Sequence, residues 1–82
     1  MLLVDIYVPS VDKTYNFSLN ENVEIGSLIT EITEMIEKNE KSEFSGDKNK
    51  LFLYDKNRKE ALSLSNTLYD YYITTGSQLI LV

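Results

Sequence analysis

Residues 25–38 carry the only helical period in the chain. Ile25, Leu28, Ile29, Ile32, Met35 and Ile36 recur at spacings of three and four, with Glu31, Glu34, Glu37 and Lys38 filling most of the other side. That pattern predicts one amphipathic helix of about four turns. Its apolar stripe, from Leu28 through Ile32 to Met35, must be buried against another layer. The rest of the chain offers only strand patterns, so the expected layer is a sheet. Ile and Thr are mediocre helix formers, so packing rather than propensity must hold the helix.

The flanking segments read as strands. In residues 2–8, Leu2, Val4, Ile6 and Val8 alternate with Leu3, Asp5 and Tyr7. Residues 9–13 supply a turn, and residues 14–19 a second strand with Tyr15, Phe17 and Leu19 on one face. The short connection predicts an antiparallel hairpin. Residues 50–54 form the expected third strand, with Leu51 and Leu53 on one side and Phe52 and Tyr54 on the other. Residues 55–58 are a polar turn, 59–62 a short fourth strand, and 78–82 the last. Asn66 is expected to cap a short helical turn at 67–69, and Gly76 to sit in a turn before the last strand.

Where the long helix starts stays open over three residues. Asn22 is the better cap by residue type, and Glu24 suits the positive end of the helix. Gly26 costs little if it lies in the first turn. The expected architecture is α+β, a sheet of four or five strands packed on one helix, and one domain over residues 1–82.

Composition excludes more than it suggests. Apolar residues make up 43% of the 82, enough for one modest core. The chain has no Cys and no His, which removes thiolate chemistry, the commonest general base and the commonest metal ligand. Only carboxylates are left for a metal, and Asp47 to Asp55 lacks calcium-loop spacing. The glycines form no phosphate loop. No catalytic, cofactor-binding or metal site is expected, and the chain does not read as an enzyme.

Thirteen acids against eight bases give a formal charge of −5, which disfavours nucleic acid and anionic membranes. The N-terminus lacks the basic region of a signal peptide, and no apolar run reaches membrane-spanning length. A small soluble cytoplasmic protein is the expectation.

Two surfaces are candidates for protein binding. If Leu51, Leu53, Leu79 and Leu81 face the core, then Phe52, Tyr54, Ile80 and Val82 face away as one apolar patch. Aromatics beside aliphatics suit an interface anchor. The alternative is that residues 39–49 cover this face. The second surface is acidic: Glu31, Glu34, Glu37, Glu40, Glu43 and Asp47, with only two lysines among them. It reads either as a docking surface or as a solvated helix end and loop, supported by Glu34–Lys38 and Glu37–Lys41 pairs.

Leu68, Asp70, Tyr71, Ile73, Gly76, Ser77 and Leu79 resemble the segment that precedes the last strand of ubiquitin-like domains. Ile25, Leu28 and Ile32 are similar to the inward face of the ubiquitin helix. The resemblance implies a β-grasp fold with the third and last strands side by side. It also implies that Tyr71 satisfies nearby backbone, leaving Tyr69 and Tyr72 as the better candidates for exposure.

Within that superfold the chain is similar to the YukD/EsaB group of bacterial proteins that accompany type VII, or WXG100, secretion systems. The likeness rests on its length, its acidic balance and the Tyr/Ile-rich segment before Gly76. It implies an accessory module that binds a cytoplasmic part of the secretion machinery, peripheral to the membrane, or a second copy as a homodimer. Residues 79–82 lack the Gly-Gly tail through which ubiquitin and sulfur carriers react, so conjugation is not expected. An adaptor from an unrelated pathway, or the N-terminal piece of a longer protein, is the alternative.

Overall fold

The computed structural model describes residues 1–44 and 48–82. Its described residues form strands β1 (Leu2–Val8) and β2 (Lys13–Leu19), helix α1 (Ile25–Glu40), a 3-10 turn at Lys48–Lys50, and strands β3 (Leu53–Asp55), β4 (Glu60–Ala61) and β5 (Gln78–Leu81). The sheet order is β2-β1-β5-β3-β4. The β1–β5 pair is parallel, and the β1–β2, β3–β4 and β3–β5 pairs are antiparallel. This is the expected α+β arrangement, one helix across a five-stranded sheet; the alternations alone suggest an antiparallel sheet, and the parallel β1–β5 pair makes it the mixed sheet that the β-grasp resemblance implies.

Period-two alternation sorts β1, an interior strand of the sheet. Val4, Ile6 and Val8 point to the helix and are fully buried, while Leu3 and Tyr7 on the opposite face are exposed. Phe17, Leu19, Leu53, Leu79 and Leu81 complete the sheet's inner surface. From α1, Ile25, Leu28, Ile29, Ile32, Thr33 and Ile36 meet them.

Met35 departs from the expected stripe: it is 42% exposed, while Ile32 is 0% exposed. At about 100° per residue the six buried positions fill one arc of the helix, and Met35 falls just outside it. It borders a groove with Tyr15 and Phe17 along β2 instead. Thr33 occupies the other flank of the arc, its hydroxyl donating to the Ile29 carbonyl at 2.7 Å.

The helix start is satisfied from outside the local sequence. Glu24 is the capping residue, and it makes no side-chain capping bond; Asn22 does not cap the helix. Instead the Ile25 and Gly26 amides donate to the carbonyls of Asn66 and Leu64 at 2.8 and 2.9 Å. Free first-turn amides thereby find acceptors on a distant loop. Glu24 also bridges to Thr67. At its other end the helix runs two residues past the expected limit, to Glu40, and Lys41 closes it in the left-handed region at φ 54°.

The chain then turns back, and Phe44 packs on the core rim with its amide donating to Glu37 Oε2 at 2.8 Å. The third strand starts later than expected, because Lys48–Lys50 form a 3-10 turn. Asp55, read as turn, is buried at the end of β3. It organises the turn, accepting the Asn57 amide at 3.0 Å on its carboxylate and the Lys59 amide at 2.7 Å on its carbonyl.

The turn after β4 is closed by Thr67, not Asn66. The Thr67 amide donates to Asp70 Oδ2 at 2.9 Å, and the Asp70 amide donates to Thr67 Oγ1 at 3.1 Å. No helix among the described residues is long and apolar enough to cross a membrane.

Candidate protein-binding surface

The pairing of β3 with β5 builds the candidate patch. Tyr54 stands opposite Ile80 and Leu53 opposite Leu81. One step further, Phe52 and Val82 exchange both backbone hydrogen bonds, at 2.6 and 3.0 Å. Leu53, Leu79 and Leu81 face the core. Period two therefore turns Phe52, Tyr54, Ile80 and Val82 to the face opposite α1. Phe52 is 42% and Val82 53% exposed, and Tyr54 and Ile80 are half-buried.

Tyr7 extends this face beyond the residues that the β3 and β5 alternations supply. Tyr7 stands beside Ile80 in the parallel β1–β5 register and is exposed on the same face. The alternation of β1 marks Tyr7 as outward, but only the strand order makes it part of this face. Its hydroxyl donates to Asp12 Oδ1 at 2.7 Å. That bond, followed by desolvation and the Asp12 charge, raises its pKa above the ordinary phenol value. Lys56, two residues beyond Tyr54, borders a groove on this face with Asp5, Tyr7 and Gln78.

Phe44 packs beside Val11, Ile36 and Glu40 at the helix end. Residue 44 therefore does not provide the intramolecular cover considered for residues 39–49.

The acidic residues separate into two groups. Glu31, Glu34 and Glu43 are exposed. Glu37 and Glu40 are half-buried and hold structure together. Glu37 receives the Phe44 amide. Glu40 receives the Tyr15 hydroxyl and the Lys13 ammonium, the latter at 3.0 Å. The Tyr15 hydrogen bond, with Lys13 second, lowers the Glu40 pKa below its ordinary value, and Glu40 raises those of Tyr15 and Lys13. This cluster ties β2 to the end of α1. Asp47 lies outside the described residues.

Tyr71 accepts the Ser63 amide on its hydroxyl at 2.8 Å, the backbone role that the resemblance implies. Tyr69 and Tyr72 are exposed.

The N-terminal ubiquitin-like domain in the 4931431F19Rik protein superposes with a TM-score of 0.75 at 18% identity, over 99% of this chain and 72% of that one. The chain has the ubiquitin-like β-grasp fold. The ubiquitin-like domain of an Arabidopsis thaliana protein matches with a TM-score of 0.72 at 20% identity, over 99% of this chain and 74% of that one. Caldiarchaeum subterraneum ubiquitin matches with a TM-score of 0.72 at 15% identity, over 98% and 89%. At these identities the likeness is one of ubiquitin-like fold alone. No protein-family model and no curated protein sequence matches the chain.

Proposed function

We propose that this ubiquitin-like chain is a protein-docking module whose partner covers Phe52, Tyr54, Ile80 and Val82. One observation carries the reading. Two cross-strand pairs, Phe52 with Val82 and Tyr54 with Ile80, put two aromatics and two aliphatics on the sheet face away from the helix. An exposed cluster of this kind gains by being covered, at about 25 cal/mol per Å² before association costs. The mechanism is docking, without bond chemistry.

The narrower reading is an accessory component of a bacterial type VII secretion system, working at the cytoplasmic side of the machinery. Its support is the YukD/EsaB likeness in length, acidic balance and the Tyr/Ile-rich segment before Gly76. A second reading, an adaptor domain of another pathway, is favoured by the structural likeness to an N-terminal ubiquitin-like domain.

The test uses a Phe52→Ala/Ile80→Ser double variant. It is expected to keep the circular dichroism and cooperative melting of the parent while losing the partner captured by the parent, measured by calorimetric titration. An unchanged affinity in a folded variant overturns the patch and leaves Glu31, Glu34 and Glu43 as the alternative. Failure of a secretion-ATPase cytoplasmic domain or a WXG100 protein to bind the parent overturns the type VII assignment only.

A further inference from the structure

The connection between β4 and β5 carries a second surface, apart from the sheet patch. Its anchors are Leu68 and Ile73, both buried. The Ile73 amide returns to the Leu68 carbonyl at 3.1 Å, and Tyr72, at φ 56°, makes that return in the left-handed region. Glycine is the usual residue at such a turn end, and a bulky aromatic there is an outlier.

The aromatic gains no burial from its position. Tyr72 is 80% exposed and Tyr69 66% exposed. With Glu21, Ile73 and Thr74 they line a shallow depression of about 220 Å³. The Tyr69 amide donates to the Glu21 carbonyl at 3.0 Å, which fixes the two segments together.

The chemistry of this depression selects a cation. Among the described residues Glu21 is the one charged residue that lines it, and residues 20–24 and 66–74 contain no Lys or Arg. Exposed phenol faces attract ammonium and guanidinium groups through the ring quadrupole. The Met1 ammonium already sits 3.3 Å from Glu21 Oε1, so a nitrogen cation fits beside this carboxylate.

We propose that Glu21, Tyr69 and Tyr72 form a docking site for a basic segment of a protein partner, taking an Arg or Lys side chain against the phenol rings with Glu21 as counter-ion. The site is independent of the sheet patch and stands if that patch binds nothing. The Glu21 carboxylate is held ionised by its own amide first and by the Met1 ammonium second, both lowering its pKa.

The test is an amide-detected NMR titration of the whole chain with the blocked peptide acetyl-Gly-Arg-Gly-Arg-Gly-amide. The control peptide has Glu in place of both Arg residues. The Arg peptide is expected to give saturable shifts at Glu21, Tyr69, Ile73 and Thr74, diminished by salt. Tyr72→Gly removes the ring and relieves the left-handed backbone, so it keeps the fold. It is expected to raise the apparent Kd about threefold, the size of one exposed cation–π contact. Tyr69→Ala and Glu21→Gln are expected to act in the same direction.

Several results overturn the site: equal shifts from the Glu peptide, no shifts at millimolar Arg peptide, or an unchanged Kd in the folded variants. Shifts at these amides that grow with protein concentration alone assign the surface to a second copy and likewise overturn it.

Discussion

The amide of Gly26 donates to the carbonyl of Leu64 at 2.9 Å, and a β-carbon on Gly26 would stand 3.3 Å from that same oxygen. The contact joins the first turn of α1 to the loop after β4. Gly26→Ala sets a propensity gain of up to about 1 kcal/mol against crowding of a backbone acceptor. The acceptor belongs to a bonded loop, so crowding is expected to win. Gly26→Ala should lower the melting temperature, with faster hydrogen exchange at residues 25 and 26, and Gly26→Val should lower it further.

Ile32 and Met35 separate the helix face that packs from its margin. Ile32→Ala empties a fully buried site and should cost about 2–5 kcal/mol. Met35→Ala, at a position 42% exposed, should cost less than about 1 kcal/mol. Urea denaturation of the two variants measures the difference. Equal losses would put Met35 back in the core.

Tyr71→Phe keeps the ring and deletes the acceptor of the Ser63 amide. The expected loss is about 0.5–1.5 kcal/mol. Exchange at the Ser63 amide should accelerate more than exchange across β1.

The Lys13–Tyr15–Glu40 cluster makes stability depend on pH at both ends of the range. Glu40 has a folded pKa below its ordinary 4.5, so its contribution is complete above that value and is lost as pH falls through the folded pKa. Lys13 and Tyr15 have folded pKa values above their ordinary 10.5 and 10.0. Their contributions are complete below those values and are lost as pH rises through the folded ones. The melting-temperature difference between the parent and Glu40→Gln should therefore be largest near neutrality and close under acid conditions.

Periodicity made the layers legible. Ile25, Leu28 and Ile32 on the helix, and Val4, Ile6, Leu79 and Leu81 on the strands, face the core as their spacing requires. What spacing does not encode is the partner across a gap in sequence. Asn22 has the right chemistry for a cap, yet carbonyls from residues 64 and 66 reach the helix start instead. Met35 fits a stripe drawn along the sequence and misses the narrower arc that the sheet covers. Tyr7 joins the candidate patch only because β1 lies next to β5. Glu37 and Glu40 look like surface charge until the fold brings Phe44, Lys13 and Tyr15 to them.

The parallel β1–β5 pair sets an order of assembly. β1 lies inside the sheet between β2 and β5, and β5 is made of residues 78–81. Until those residues leave the ribosome, Val4 and Ile6 lack half their lateral support, and Leu79 and Leu81 are missing from the core. The hairpin and helix can come together earlier, but the inner layer stays open to water and to other nascent chains. Closure of the inner layer thus waits for residues 78–81, and a ribosome stalled before residue 78 would hold a chain that binds chaperones.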